Sequence, residues 1–294
     1  MTRPSAPRGE EGLILINVLL FVAIASGLVL LMVNREELAL DGALRMREAS
    51  RAAAIVRGGE LSALTALRRD AEEAPEADHR GEPWAAVAES GIAIEGGTFD
   101  LAVADAEGRF NINNVRSGQS AAVILFESIA RDAGLTPEQI VQAIGYVRAA
   151  GPVTDLRPIR LVGLEPGAAD RLATMVTALP AETQISLNAA GRELLTLMLR
   201  DPVVVERLLA VRDRRGFIDA EDLTREGLTM PPGTRFASDH FWVRTRARIG
   251  GTSQQGAALI ERRKREDGTP ETVVVERWRG AAIPPDAPEF PAAK

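Results

Sequence analysis

The hydrophobic pattern of the chain changes period several times, and its first segment is the most uniform. Residues Leu13 to Val33 carry no charge and are almost entirely apolar, with Asn17 and Ser26 as polar exceptions. At about 1.5 Å per helical residue this segment reaches ~31 Å, which is about the thickness of a bilayer's hydrocarbon core. We therefore expect a transmembrane helix at 13–33, preceded by a polar leader at 1–12.

The apolar segment by itself leaves three interpretations open. A cleaved secretory signal could use Ala23-Ile24-Ala25, but the new terminus would then begin with an exposed apolar tail. A plain single-pass anchor would keep the whole segment. In a pilin-type signal the cut falls after Gly12, and the apolar helix stays on the mature protein.

The segments that follow alternate between helical and strand spacing. From Asn34 onward charged and apolar residues recur at helical spacing with no proline before Pro75, so the helix is predicted to continue. Residues 99–103 and 110–112 have a period of two on either side of turn-forming residues 105–108, which predicts a β-hairpin.

A helical block separates this hairpin from later strands. Residues 118–230 show helical spacing with capping signals such as Thr136-Pro137, and strand spacing returns over 231–280. Since strands need partners in the same sheet, we predict an α+β fold with a large inserted all-helical subdomain. The predicted organisation is leader 1–12, transmembrane helix 13–33, spine helix and first strands 34–117, helical subdomain 118–230, remaining strands 231–280 and a disordered tail 281–294.

Composition excludes several kinds of chemistry. The net charge of −6 argues against a nucleic-acid partner, because such binding depends on Lys and Arg neutralising phosphates. The absence of cysteine excludes disulfides and thiolate catalysis. His79 and His240 each follow an aspartate, but neither lies in a spaced ligand pattern. We therefore expect no catalytic residues and no metal ligands, and interpret the protein as a non-enzyme.

Two weaker signals stay open. Residues 163–167 and 199–202 resemble the turns of helix-hairpin-helix units, in which backbone N–H groups bind phosphate, although the second turn has no glycine. Oxygen-rich residues could offer hard ligands to calcium, although turn chemistry explains them as well. These oxygen-rich residues are Asp105, Glu107, Asn111, Asn113 and Asn114.

Several segments together resemble the minor pseudopilin K family of type II secretion systems. The resemblance extends from Gly12 to about Gly280 in the same order, and the GRFNIN and ISLNAA elements stand at the family's places. The leader departs from the usual pattern because Glu10 and Glu11, rather than a basic residue, precede Gly12. The segments that carry the resemblance are DHRGEPWA, DAEGRFNINNV, LPAETQISLNAAGRELLTLML, FASDHFWVRTRARIG and VVVERWRG.

The resemblance implies a pilin-like fold, in which a long N-terminal helix packs on an antiparallel sheet. It also implies prepilin peptidase cleavage between Gly12 and Leu13, N-methylation of Leu13, and a periplasmic C-terminal domain on a single-pass inner-membrane anchor. The implied partners are the I, J and H minor pseudopilins and the major pseudopilin, with secreted proteins or the secretin as further candidates. The family also has calcium sites, but no ligand can be matched residue by residue, so calcium stays an open alternative and no cofactor is expected with certainty.

Asn17 takes the place where most pilins carry glutamate, and its neutrality has a physical reading. In a filament shaft such a carboxylate pairs with the N-terminal ammonium of a neighbouring subunit. A subunit at the tip has no neighbour ahead of it, and an unpaired charge in lipid costs about 2.5–3.5 kcal/mol or more. Asn17 therefore fits a tip subunit.

Two rival functions complete the set of hypotheses. A membrane-anchored DNA-binding or uptake protein would use the hairpin-like turns and would bind DNA in a salt-dependent way. A secreted hydrolase would require cleavage after Ala25 and a catalytic pair that the motifs do not show.

Overall fold

The chain is described from a computed structural model, which covers residues 10–73 and 76–291. It divides into two compact units, Met1–Arg51 and Ala52–Lys294, which are treated separately. The predicted leader lies outside the described residues as far as residue 9, and Gly12 and Leu13 are described by their backbone alone. The last three residues of the predicted tail also lie outside the described range.

The elements follow one another as helix, strands, helical block and strands again. The helices are α1 (Glu10–Glu73), α2 (Pro83–Ala86), α3 (Ser120–Asp132), α4 (Pro137–Ala150), α5 (Pro166–Met175), α6 (Arg192–Leu199), α7 (Pro202–Arg215) and α8 (Ala220–Arg225). The strands are β1 (Glu89–Ile94), β2 (Gly97–Asp105), β3 (Phe110–Asn111), β4 (Val176–Thr177), β5 (Ile185–Ser186), β6 (Thr234–Arg235), β7 (His240–Ile249), β8 (Thr252–Lys264) and β9 (Pro270–Arg279).

A five-stranded antiparallel sheet in the order β1-β2-β7-β8-β9 forms the framework of the second unit. Strand β2 pairs along its whole length with β7, from Gly97 opposite Ile249 to Asp105 opposite Phe241. Everything between Asp105 and His240 is thus inserted between two neighbouring strands. This confirms the predicted inserted subdomain.

The part of α1 that belongs to the second unit packs on one face of the sheet. Ala52, Ala63 and Leu67 are fully buried there. A Cβ on Gly59 would lie 2.6 Å from the Phe99 ring and 2.9 Å from the Thr245 methyl group, so only glycine allows the helix to approach this closely. The long N-terminal helix on an antiparallel sheet is therefore confirmed.

The inserted block has its own core, to which α3 to α8 all contribute. It is not purely helical as predicted. Strand β3 pairs with β4 in parallel, and β5 pairs with β6 in parallel. These pairs hold the block at its entry and exit, and two-residue strands are too short to produce a period in the sequence.

The hairpin predicted across residues 105–108 is wrong. Strand β2 turns back at Glu95-Gly96 to pair with β1, and β3 leaves the sheet to pair with β4. A period of two indicates a strand, but the partner depends on contacts that are distant in sequence.

The C-terminal segment also differs from the prediction of a disordered tail. Ile283 and Ala287 pack against the sheet face opposite α1, together with Trp242, Leu259 and Trp278. The proline- and alanine-rich composition suggests disorder, but apolar residues spaced along the segment find partners on an aromatic surface.

Candidate functional site

The first part of α1 is built as a membrane anchor. Within the described residues one helix, Ile14–Glu73, is long and apolar enough to cross a membrane, and its most apolar window has a mean hydropathy of 2.8 with no residue buried inside the protein. Phe21, for example, is 73% exposed. A contiguous apolar surface of this length is not stable in water, so the segment forms a single-pass anchor.

The predicted processing residues lie at the start of this helix. Gly12 and Leu13 are in its first turns, and Asn17 is exposed on the same apolar stretch. The structure places these three residues on one element, and their roles stay predictions.

The two histidines do not form a common site. His79 stacks on Phe217 with ring centroids 4.8 Å apart, and its Nδ1 accepts a hydrogen bond of 3.1 Å from the Gly81 N–H. His240 is buried, and its Nδ1 lies 2.7 Å from a carboxylate oxygen of Glu107. Each imidazole is held by its own local partner.

Three buried carboxylates, those of Asp70, Asp78 and Glu82, lie within 4.8 Å of one another, in the spacing of a candidate metal centre. The cation at this position is a side chain of the protein. The Arg262 guanidinium donates to Asp70 Oδ2 and Asp78 Oδ1, each at 2.5 Å, and to the Leu67 carbonyl at 3.2 Å.

Burial sets the electrostatics of this cluster. It raises the pKa of Asp70 from 3.8 to about 6, although Arg262 acts in the opposite direction. Burial also raises the pKa of Asp78. Asp78 in turn accepts a 2.7 Å hydrogen bond from the Ser238 N–H. The cluster therefore joins the end of α1 and strand β8 to the segment that leads out of the inserted block.

The sequence did not reveal this role for Arg262, which lies in a basic run typical of a solvated hairpin. Its side chain is only 9% exposed, and its guanidinium lies 4.3 Å from the centre of the Phe241 ring. The signal that could have found it is strand parity, because Arg262 shares a face of β8 with the fully buried Ile260.

The oxygen-rich residues brace the entry to the inserted block. Asn111 Oδ1 accepts from the Leu179 N–H at 3.1 Å, and Asn113 Nδ2 donates to the Leu179 carbonyl at 2.7 Å. Asn114 exchanges two hydrogen bonds with the backbone of Thr183. The GRFNINN segment thus hydrogen-bonds the loop after β4, and a calcium role for these residues stays a prediction.

Carboxylates of the same stretch hold the exit of the block. Asp105 Oδ2 accepts from the Ser238 hydroxyl at 2.6 Å. Glu107, which is fully buried, binds Arg235 as well as His240. Burial raises the pKa of Asp105 to about 7.

The second of the two hairpin-like turns is capped by the chain's own residues. At the second turn Arg200 ends α6 in the left-handed conformation, and the Asp201 carboxylate accepts from the N–H groups of Val203 at 2.9 Å and Val204 at 3.1 Å. A phosphate would need those same donors and would meet a negative charge. The geometry gives no support to DNA binding at this turn.

Comparison with known proteins agrees with this architecture. No protein-family profile matches the chain. Type II secretion system protein K of Pseudomonas aeruginosa is 26% identical over 87% of this chain and 90% of its own length.

The fold has been seen before in a solved assembly. One chain of the GspK-GspI-GspJ complex from the enterotoxigenic Escherichia coli type 2 secretion system superposes with a TM-score of 0.60. The match covers 80% of this chain and 98% of that one, at 16% identity. The apolar anchor, the interrupted sheet and the sequence match together make this chain similar to type II secretion system protein K.

Proposed function

We propose that this protein is a non-enzymatic minor pseudopilin at the tip of the type II secretion pseudopilus, where it supports export of proteins across the outer membrane. The proposal rests on one observation. An exposed apolar helix continues into the helix that packs on an antiparallel, pilin-like sheet, and a large helical block interrupts that sheet. The anchor would lie in the inner membrane, with the C-terminal part in the periplasm.

The assembly partners follow from the family and from the related complex. We infer contacts with the I and J minor pseudopilins, with the H type and the major pseudopilin completing the filament below. Packing of apolar α1 segments side by side would hold the subunits together. The helical block would enlarge the head, where a secreted protein or the outer-membrane secretin could bind.

Processing is proposed at the Gly12–Leu13 bond. Prepilin peptidase would remove the leader and methylate the Leu13 amine, which leaves the apolar helix on the mature protein. Asn17 would then be the fifth residue of the mature chain. Its neutral side chain avoids the cost of about 2.5–3.5 kcal/mol for an unpaired charge in the bilayer.

The mature N-terminus tests the processing step. The full chain is expressed with prepilin peptidase, and the membrane-extracted product is analysed by mass spectrometry. We expect a chain that begins at N-methyl-Leu13, and we expect Gly12→Val to block the cut while the control Gly27→Ala leaves it intact. A product that begins at Ser26, or an uncut chain, would refute the pilin-type signal.

Asn17 tests the position in the filament. Asn17→Glu and Asn17→Gln add nearly the same side chain and differ in charge. We expect both to insert into the membrane, but only the glutamate variant to lose secretion in a strain that depends on this protein. Equal secretion by the two variants would show that neutrality at this position has no part in tip assembly.

A further inference from the structure

The sheet face opposite α1 forms a groove together with the inserted block. The groove has an apolar floor, a pair of arginines from β7, and a cation and a hydroxyl from the inserted block. Side chains alternate along β7, so Val243 packs with the α1 residues while Trp242, Arg244 and Arg246 belong to the other face. Trp242 and Trp278 lie with ring centroids 5.1 Å apart and form an apolar floor.

The C-terminal segment of the chain, residues 283–291, occupies this groove. Ile283 and Ala287 cover the apolar floor. The Asp286 carboxylate accepts from Arg109 Nη1 at 3.1 Å and from the Thr177 hydroxyl at 2.9 Å. Asp286 is thus held by a cation and a hydroxyl that both belong to the inserted block.

The far end of the segment binds the arginines of β7. The Pro288 carbonyl accepts from Arg244 Nη1 at 3.2 Å. The Phe290 ring lies 5.0 Å from the Arg244 guanidinium carbon and 4.3 Å from that of Arg246. Cation–π contacts of this kind favour an aromatic side chain at this place.

The segment binds as a short peptide ligand would. Strand β9 ends at Arg279, and the contacts given above come from side chains and one carbonyl rather than from a strand ladder. Its shape is preset, because the Ala287 N–H donates to the Pro284 carbonyl at 3.2 Å and closes a turn around Pro285. A rigid segment loses little conformational entropy on binding.

We propose that this groove is an exchangeable peptide-binding site, and that residues 283–291 are its resident occupant. The ligand class is a proline-containing segment of a partner protein with a carboxylate and, four residues later, an aromatic ring. Such a segment would displace the resident one and bind the same arginines. The resident segment is tethered at an effective concentration in the millimolar range, so it keeps the groove closed to weak competitors. This inference does not depend on the proposed function.

A labelled peptide tests the proposal on the full-length chain in detergent micelles. The probe is AAIPPDAPEFP, which corresponds to residues 281–291. In the variant with Asp286→Ala and Phe290→Ala the resident segment loses its carboxylate contacts and its cation–π contacts. We expect fluorescence anisotropy to show binding to this variant, and binding at least about 100-fold weaker to the unaltered chain.

Matched controls isolate the groove. A peptide with the same two substitutions is expected not to bind. Added to the double variant, Arg244→Ala is expected to weaken binding, whereas Arg248→Ala is expected to preserve it. Arg248 belongs to the same strand, but its side chain is 49% exposed and it pairs with Asp100. Equal binding to the unaltered chain, or no binding to a double variant with unchanged circular dichroism, would overturn the proposal.

A second measurement covers the case in which the double variant does not fold. The unaltered chain is mixed with millimolar peptide, and amide hydrogen exchange of residues 283–291 is followed. Displacement of the resident segment is expected to speed exchange there and to leave β8 unchanged. An unchanged rate of amide hydrogen exchange in residues 283–291 would contradict displacement of the resident segment by the peptide.

Discussion

Removal of the Arg262 guanidinium is the sharpest test of how the second unit is held together. Arg262→Met keeps a long apolar side chain but leaves the carboxylates of Asp70 and Asp78 buried without their cation. Loss of one partner from a buried ion pair typically costs about 3–5 kcal/mol. At ~2–4 °C per kcal/mol for a unit of this size, the melting temperature should fall by roughly 6–20 °C at pH 8.

The loss should shrink as the pH falls. The pKa of Asp70 is already raised to about 6 with Arg262 present, and removal of the cation raises it further. A carboxylate whose pKa is higher in the folded state destabilises the protein above that pKa, and this penalty fades as the pH falls toward the unfolded value of 3.8. The melting-temperature difference between Arg262→Met and the unaltered chain should therefore be smaller at pH 5 than at pH 8.

The neighbouring residue supplies the control. Arg263 is 51% exposed, lies on the other face of β8 and pairs with Glu271 at 3.0 Å. Arg263→Met should change stability by no more than about 0.5 kcal/mol. Thermal unfolding of both variants, followed by circular dichroism at the two pH values, makes the comparison. An equal loss in both variants, or a loss for Arg262→Met that does not depend on pH, would refute the reasoning.

Three other changes follow from the same structure. Gly59→Ala should destabilise the protein by about 1–3 kcal/mol in denaturant unfolding, because the new Cβ would overlap the Phe99 ring. The control Gly58→Ala should be neutral or stabilising, because nothing lies within 4 Å of its new Cβ. Asp105→Asn should raise the free energy of unfolding at pH 8 by at most ~4 kcal/mol, because the pKa of Asp105 is about 7 in the folded protein against 3.8 when unfolded. The gain should shrink below pH 7 and vanish near pH 4. A gain that does not depend on pH would contradict this reasoning. Asp201→Ala removes the cap of α7 and should cost about 0.5–2 kcal/mol, with faster amide exchange in the first turn of that helix as the local signature.

Local sequence pattern was enough to predict an element wherever that element depends only on its own residues. The anchor follows from the uninterrupted apolar segment, and the long helix from helical spacing without proline. The insertion also followed, because strand spacing on both sides of a helical block requires partners across it. Asp201 shows the limit of this approach, since its position predicts a turn but only the backbone geometry shows that its carboxylate occupies the N–H donors of α7.

The pairing of strands and the burial of single side chains could not be predicted from local sequence pattern. The period of two at Phe110 indicates a strand but does not name β4 as its partner. The basic run from Arg262 to Arg265 has the composition of a solvated hairpin, yet Arg262 is buried against the end of α1. The C-terminal segment has the composition of a disordered tail, yet Asp286 meets Arg109, a residue far away in the sequence.

The sequence by itself determined that this protein has a membrane-spanning helix near its N-terminus, that the helix continues into an α+β body, and that a helical block interrupts its sheet. These properties depend on hydrophobic period and segment length, which are local. Only the tertiary structure decided that Arg262 pairs with two carboxylates of a buried acidic cluster, that the asparagines after β2 brace the inserted block, and that the C-terminal segment fills a groove. Each of these is a contact between residues distant in the chain, and its energy comes from burial and charge pairing that exist only once the sheet has formed.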